Sequence, residues 1–170
     1  MAQQNTNYGS YTSMTVTNLN SLANSATVGW QSARVDNQTS VKAMDYEIAI
    51  KITTAATAPA NDKAVYVYIS PAMTTDGGTT WIHADGGTAT LPSGTESSYT
   101  IASPNNLILL GALNYTTTSQ LIQGNFSLSS SFGYGSVPDG FSIVIVNFTG
   151  AAVSASGNIV AYRAINNTIV

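Results

Sequence analysis

The segment DYEIAIKI, residues 45–52, sets the fold class of this chain, because its apolar and polar residues alternate strictly. Tyr46 and the isoleucine at every second position after it point one way, while Asp45, Glu47 and Lys51 point the other. A two-residue period of this kind predicts a β-strand with one buried face and one solvated face.

Further segments on both sides of this strand are rich in β-branched and aromatic residues. They occupy residues 64–70, 106–113, 120–128, 141–148 and 158–165, and turn-forming Gly, Pro, Asn, Ser and Thr separate them. The segment FSIVIVNF, residues 141–148, is apolar on both faces, so we expect it in the middle of a sheet. We therefore predict an all-β fold, an antiparallel β-sandwich of jelly-roll-like type.

The length of 170 residues fits one domain. Residues 1–25 are rich in Asn, Thr, Ser and Gln and poor in large apolar side chains, which is typical of weakly ordered segments. We predict a flexible, polar N-terminal arm over residues 1–25 and a single β-sandwich domain over residues 26–170. The arm is either a frayed terminus or a segment that grips a partner.

Composition argues against several classes of partner. Only 8% of the residues are charged, against a usual fraction of about 25%, and the net charge is −3. The basic residues are few and scattered, whereas nucleic-acid binding requires clustered Lys and Arg, so we expect no nucleic acid. No apolar run is long enough to span a bilayer and the start has no secretory signal pattern, so we expect no membrane. Without Cys, disulfides and thiolate sites are excluded.

The segment TTDGGTTW, residues 74–81, has the spacing S/T-x-D-x-G-x-T-W of the Asp-box, a turn that recurs on the blades of sialidase-type propellers. The chain carries one such box, is too short for a propeller, and has two arginines where a sialidase site needs an arginine cluster. We therefore predict a structural turn that closes a hairpin. Its residues are Thr74, Asp76, Gly78, Thr80 and Trp81.

The single histidine, His83, follows this turn. Together with Asp76 and Asp85 it supplies enough ligands for a metal on paper, but a lone histidine is more often a hydrogen-bonded structural residue. The segment does not match a calcium-binding loop, and the chain has no G-x-S-x-G nucleophile elbow. We predict no catalytic residue, no metal and no cofactor, and hence a protein that is not an enzyme.

Tyr66 and Tyr68 lie two residues apart in a predicted strand, so both side chains point to one face. On that face they would form a platform for sugar rings, as in a carbohydrate-binding module of a phage fibre or a cell-surface protein. The alternative is ordinary cross-strand packing on a half-buried face.

The segment from residue 121 to 166 carries a recognisable pattern: G-x-F-S, a run of small residues ending in F-G, a Pro before an apolar strand, a turn N-x-T-G-A-A, then S-x-S-G-N and an aromatic in a final strand. The residues concerned are Gly124, Phe126, Ser127, Phe132, Gly133, Pro138, Asn147, Thr149, Gly150, Ala151, Ala152, Ser154, Ser156, Gly157, Asn158 and Tyr162. In these residues the chain resembles small structural proteins of tailed-phage virions. The likeness extends loosely upstream through residues 64–81.

This resemblance implies a capsid decoration, or cement, protein. Such a protein would bind the major capsid protein on the exterior of a phage head, as a homo-oligomer that the family leads us to expect as a homotrimer. It would be made in the host cytoplasm and located in the virion. The low charge and the β-rich composition agree with that expectation, and the N-terminal arm would add contact area by ordering on the capsid.

Overall fold

The computed structural model describes residues 4–38, 42–60, 63–84, 94–101, 106–132 and 136–169 of the chain. Its first strands are β1 (Gln4–Tyr8), β2 (Thr12–Ser13), β3 (Val28–Gln31), β4 (Val35–Asp36), β5 (Asp45–Thr53) and β6 (Ala64–Thr74). They are followed by β7 (Trp81–His83), β8 (Ser97–Thr100), β9 (Ile108–Asn114), β10 (Leu121–Ser127), β11 (Gly140–Asn147) and β12 (Ile159–Ile169). A short 3₁₀ turn spans Ser129–Ser131, and these ranges contain no α-helix. The all-β prediction is confirmed.

The strands form two antiparallel sheets. In the first sheet the order is β1-β12-β5-β10, and β2 also pairs with β12. In the second sheet β11 lies between β3 and β6, and β9 pairs with the other side of β6. The long strands are therefore ordered β1-β12-β5-β10 in one sheet and β3-β11-β6-β9 in the other. This is jelly-roll connectivity, in which the chain passes repeatedly between the two sheets of a sandwich.

The main core lies between the sheets. The alternation predicted for β5 is confirmed: its inward side chains are all buried, and its outward ones are half-exposed. The inward side chains are Tyr46, Ile48, Ile50 and Ile52. They meet Phe141, Ile143 and Ile145 of β11 in one apolar cluster. Burial of each large side chain of this kind stabilises the fold by roughly 1.5–3 kcal/mol.

Strand β11 is buried on both faces, as its sequence predicts. Its second face, with Val144 and Val146, lies outside the main core and is covered by Tyr99, Ile101 and Leu107. These covering side chains come from β8 and the segments that follow it. The central position of β11, between β6 and β3, agrees with its apolar sequence.

The N-terminal residues differ from the flexible arm that the sequence predicts. Strand β1 pairs with β12 from Gln4↔Ile169 to Tyr8↔Ile165, and β2 continues the pairing along the same strand. Every side chain of β1 and β2 is exposed, so the pairing depends mainly on backbone hydrogen bonds. The polar composition of residues 1–13 does not reveal this edge strand. The backbone N–H and C=O groups that form the pairing are present whatever the side chains are.

The second half of the predicted arm is part of the core. Leu19 is fully buried and Leu22 is 7% exposed, and both belong to the main apolar cluster. Met14 and Val16 pack against the same cluster. A few apolar residues among many polar ones are sufficient to fix this segment on the sandwich, so the ordered fold begins well before residue 26.

Candidate functional site

The five residues of the predicted turn lie in one hydrogen-bonded turn between β6 and β7. The Thr74 hydroxyl donates to Asp76 at 2.9 Å and accepts from the backbone N–H of Gly78 at 2.9 Å. The Asp76 carboxylate accepts the backbone N–H of Thr80 at 2.8 Å. The Trp81 indole N–H donates to the Gly78 carbonyl at 2.8 Å. The side chains of Thr74, Asp76 and Trp81 therefore bond within the turn itself.

The carboxylate of Asp76 accepts several hydrogen bonds of this turn. The N–H groups and hydroxyls around it, first that of Thr80, lower its pKa to about 2. Gly77 and Gly78 have φ values of +70° and +103°, which residues with a side chain adopt at a cost. The two glycines thus allow the chain to curl around the carboxylate.

His83 is nearly buried, and its Nε2 lies 3.2 Å from Nη1 of Arg34. Because a guanidinium only donates, Nε2 accepts and the ring carries its proton on Nδ1. Burial, followed by the charge of Arg34, lowers the pKa of His83. A permanent cation at this distance opposes binding of a metal ion. Asp85 lies outside the described residues, and within the described ranges no group of three His, Cys, Asp or Glu side chains is placed to hold a metal.

Arg34 has a second contact, with Trp81. Its guanidinium carbon lies 4.2 Å from the centroid of the Trp81 ring, a cation–π geometry. The Trp81 ring also fills the space beside Gly140, where a Cβ atom would lie 2.6 Å from the indole. Trp81 therefore joins the turn to Arg34 and to β11, which is a structural role.

Tyr66 and Tyr68 lie on the same outer face of the second sheet, with ring centroids 6.4 Å apart and ring planes 34° apart. Tyr66 packs edge-on against Phe148 at 5.6 Å, and Tyr68 packs on the cluster around Val144. Burial, followed by the neighbouring Tyr66, raises the pKa of Tyr68. Both rings are half-buried and tilted, and this geometry resembles cross-strand packing more than a flat, open platform.

The residues that carry the phage resemblance build two turns. In the first, the buried Asn147 side chain accepts the Thr149 hydroxyl at 2.7 Å and its N–H at 3.0 Å. Its amide nitrogen donates to the carbonyls of Ala151 at 2.7 Å and Leu22 at 3.0 Å. Gly150 follows with a φ of +78°. The motif N-x-T-G-A-A is thus a buried polar turn that also holds the N-terminal segment.

The second turn contains S-x-S-G-N. Asn158 accepts the N–H of Thr53 at 3.1 Å and donates to Asn20 and Ser154 at 2.8 Å each. Gly157 has a φ of +80°. This asparagine therefore ties together the end of β5, the N-terminal segment and the start of β12.

Phe126 and Gly124, from the G-x-F-S part of the pattern, lie in β10. The Phe126 ring lies over Gly124 and over Gly111 of β9, and a Cβ atom on Gly124 would be 2.8 Å from the Leu113 side chain. The small residues make room for the ring where β9 and β10 pass from one sheet to the other. Gly133 lies outside the described residues.

One surface cluster escapes sequence analysis. The Arg163 guanidinium carbon lies 4.7 Å from the ring centroids of both Tyr8 and Tyr11. Its Nη2 and Nε are 2.5 Å and 2.6 Å from Glu47 Oε2. Tyr8 and Tyr11 belong to a segment predicted as an arm, and only the pairing of β1 and β2 with β12 brings them to Arg163. The sequence hinted at this cluster only through two tyrosines in a segment rich in polar residues.

A second surface feature lies on the β6–β7 hairpin. Met73 and Ile82 are register partners and are 59% and 57% exposed. Two depressions of about 280 Å³ each adjoin this pair. Pro71 lines both depressions, and Phe132, Val137 and Pro138 line one of them. We refer to Met73, Ile82 and these lining residues as the hairpin patch.

Comparison with known proteins adds no identification: neither a protein-family model nor a curated protein matches the chain. Within the described ranges, the chain forms no helix with the length and hydrophobicity needed to cross a membrane. The fold class is a jelly-roll β-sandwich, and the chemistry of its surfaces has to be judged from the residues themselves.

Proposed function

We propose that the chain is a non-enzymatic structural protein of a tailed-phage virion, a capsid decoration protein that binds the exterior of the assembled head as a homo-oligomer. The observation that carries the proposal is the role of the resembling segment. Its turns are built by buried Asn147 and Asn158, and its strands supply both sheets of the sandwich. The likeness therefore concerns residues that specify a fold and not an incidental surface composition.

The architecture is compatible with this role. Jelly rolls serve as viral capsid domains and as lectin domains, so the fold alone leaves both uses open. The surface adds a further argument, because a chain with 8% charged residues is poorly matched to life as a dispersed monomer. Its exposed large apolar side chains include Val28, Met44, Met73, Ile82, Leu109, Leu121 and Ile159. Contacts with a shell or with further copies would cover such groups.

The hairpin patch is the surface we assign to contact with the major capsid protein. It combines two directly opposed apolar side chains with adjoining depressions that could receive side chains of a partner. Contiguous exposed apolar surface of this kind commonly marks a protein–protein contact. The turn that connects β6 to β7 is closed by hydrogen bonds to Asp76, and it holds this hairpin in a fixed shape.

The mechanism of such a protein would be thermodynamic. A protein that binds the assembled shell, and not the free capsid subunit, stabilises the shell by mass action at every occupied position. Many weak contacts then add up over the particle. The trimeric state expected from the resemblance would multiply the contacts that each copy makes.

The test is quantitative mass spectrometry of purified particles from the source culture, scaled to the major capsid protein. A ratio near one copy per capsid subunit supports decoration of the whole shell. A few copies per particle would place the protein in the tail, a fibre or a vertex, and absence from particles would overturn the virion proposal. As a control, the purified protein is mixed with undecorated heads and, separately, with unassembled capsid subunits; only the heads are expected to bind.

A carbohydrate-binding module remains the second candidate function. The Tyr66–Tyr68 pair on which the sequence bases it is tilted and half-buried. The exposed tyrosines on the first sheet favour a sugar site at a different place, which is argued next.

A further inference from the structure

We propose that the outer face of the first sheet carries a binding site for a neutral sugar, formed by Tyr8, Tyr11, Glu47, Asn125 and Arg163. This inference is independent of the virion proposal, because it stands on the geometry of one surface. A decoration protein and a protein of any other location could carry such a site equally well.

The aromatic part of the site is open to solvent. Tyr8 is 56% exposed and Tyr11 is 44% exposed, although both rings lie close to Arg163. An aromatic ring held in place on one side and open on the other offers a flat apolar face. The C–H faces of sugar rings pack on such surfaces, and a tyrosine loses little conformational entropy when it is used in this way.

The polar part of the site lies beside the rings. A depression of about 350 Å³ is lined by Tyr8, Glu47, Asn125 and Arg163, and this volume is in the range of small-molecule sites. Asn125 is exposed, and its side-chain amide has no hydrogen-bond partner among the described residues. The amide offers both donors and an acceptor, which is the combination that neighbouring hydroxyl groups of a sugar require.

The charge of the site selects a neutral ligand. Both Nε and Nη2 of Arg163 bond one oxygen of Glu47, so the guanidinium is already neutralised. An anionic sugar or a phosphate would have to displace Glu47 from this pair. The guanidinium still has N–H groups directed away from Glu47, since it carries five donors in all. A neutral polyol uses these donors without breaking the ion pair.

The same contacts also hold β1 and β2 to the sheet, and the experiment has to separate that role from ligand binding. The chain contains two arginines, so the Nε–Hε region of a ¹H–¹⁵N spectrum reports on Arg163 and on Arg34 separately. Arg34 stacks on Trp81 of the second sheet and serves as an internal control. The probes are maltotriose, cellotriose, mannotriose and N-acetylchitotriose, with 3′-sialyllactose as the anionic comparison. Each is titrated to about 10 mM, which detects a Kd of about 1 mM.

We expect at least one neutral trisaccharide to shift the Arg163 signal and the Asn125 side-chain amide while the Arg34 signal stays in place. Tyr8→Ala and Asn125→Ala are each expected to weaken that binding about tenfold, which corresponds to about 1.4 kcal/mol. Tyr8→Phe, which keeps the ring, is expected to weaken binding much less than Tyr8→Ala does. Tyr68→Ala, on the other sheet, is the matched tyrosine control and should have no effect on the Kd.

Three results would overturn the proposal. They are the absence of an Arg163 shift with every neutral probe, tighter binding of 3′-sialyllactose than of any neutral probe, and loss of binding in Tyr68→Ala but not in Tyr8→Ala. Asn125→Ala guards against a false positive from detachment of β1, because Asn125 lies on β10, the far strand of the sheet. Particle mass spectrometry is independent of all these titrations, so either proposal can fail alone.

Discussion

The buried side-chain amide of Asn147 donates to the backbone carbonyl of Leu22 at 3.0 Å and so joins the end of β11 to the N-terminal segment. Asn147→Ala removes this bond and leaves the buried N–H of Thr149 without its acceptor. A buried polar group without a partner costs about 1–3 kcal/mol, and further bonds are lost with it. We expect a decrease of roughly 2–4 kcal/mol in the free energy of unfolding, measured by urea denaturation.

Asn125→Ala is the control for that measurement. Asn125 is exposed and unbonded among the described residues, so its loss should change the free energy of unfolding by no more than about 0.5 kcal/mol. Equal effects of the two substitutions would show that the Asn147 turn has no special role in stability.

Two truncations separate the edge strands from the core part of the N-terminal segment. Deletion of residues 1–13 removes β1 and β2, whose side chains are all exposed, and is expected to cost less than about 2 kcal/mol. Deletion of residues 1–25 also removes Leu19 and Leu22 from the core and should cost at least about 3 kcal/mol more. Thermal and urea unfolding measure the loss of stability in both truncated proteins.

The shorter truncation also tests the arm in its proposed role. If the first strands contact the capsid, deletion of residues 1–13 will weaken binding to undecorated heads while the remaining domain stays folded. Unchanged binding would remove the N-terminal strands from the capsid contact. The longer truncation is unsuitable for this purpose, because it disturbs the core.

The Asp76 turn gives the stability of the protein a defined dependence on pH. Its pKa is lowered from 3.8 to about 2 in the folded chain, so its ionised form is favoured by folding. The stabilisation is present above pH 4 and is lost as the pH falls from about 4 towards 2. Asp76→Asn lacks this titration. The melting temperature of the unchanged protein should therefore fall more steeply than that of Asp76→Asn below pH 4, and parallel curves would contradict this assignment.

The hairpin patch gives the virion proposal a defined contact surface that substitutions can test. Met73→Glu and Ile82→Glu place a charge on exposed positions, so each should alter the free energy of unfolding by no more than about 0.5 kcal/mol. Both are expected to reduce occupancy on heads at least tenfold, measured by copy number after mixing. Leu121→Glu, an exposed position on the first sheet, is the matched control. Full occupancy with both hairpin variants would exclude this patch as the capsid contact.

The strands with strong side-chain patterns were predictable from sequence. The ends of β5 and β11 fall within one residue of the apolar segments at 45–52 and 141–148. Strict alternation identifies a strand with one wet face, and an apolar run between turns identifies a central strand. The Asp76 turn was predictable for a similar reason, since the hydrogen bonds made by the side chains of Thr74, Asp76 and Trp81 lie within eight residues of sequence.

The edge strands and the Tyr8–Arg163 cluster were not predictable. Strand β1 has only exposed side chains, so no apolar period marks it, and its partner β12 is at the other end of the chain. The importance of Asn147 was hidden as well, because a buried asparagine is indistinguishable from an exposed one in a chain so rich in Asn. Contacts between segments that are distant in sequence contribute to both features, through backbone pairing of β1 with β12 and through the side-chain bond from Asn147 to Leu22, and they leave little trace in local sequence.

The register pair Gln4↔Ile169 places the two ends of the described chain side by side. A short linker between them, with a new opening at the exposed turn beside Gly157, would produce a circular permutant. In that permutant β12 would be followed directly by β1, and the most distant strand pair in the sequence would become a local hairpin. Because folding rate rises as contacts become more local, the permutant should reach the same sandwich faster than the natural order of strands does.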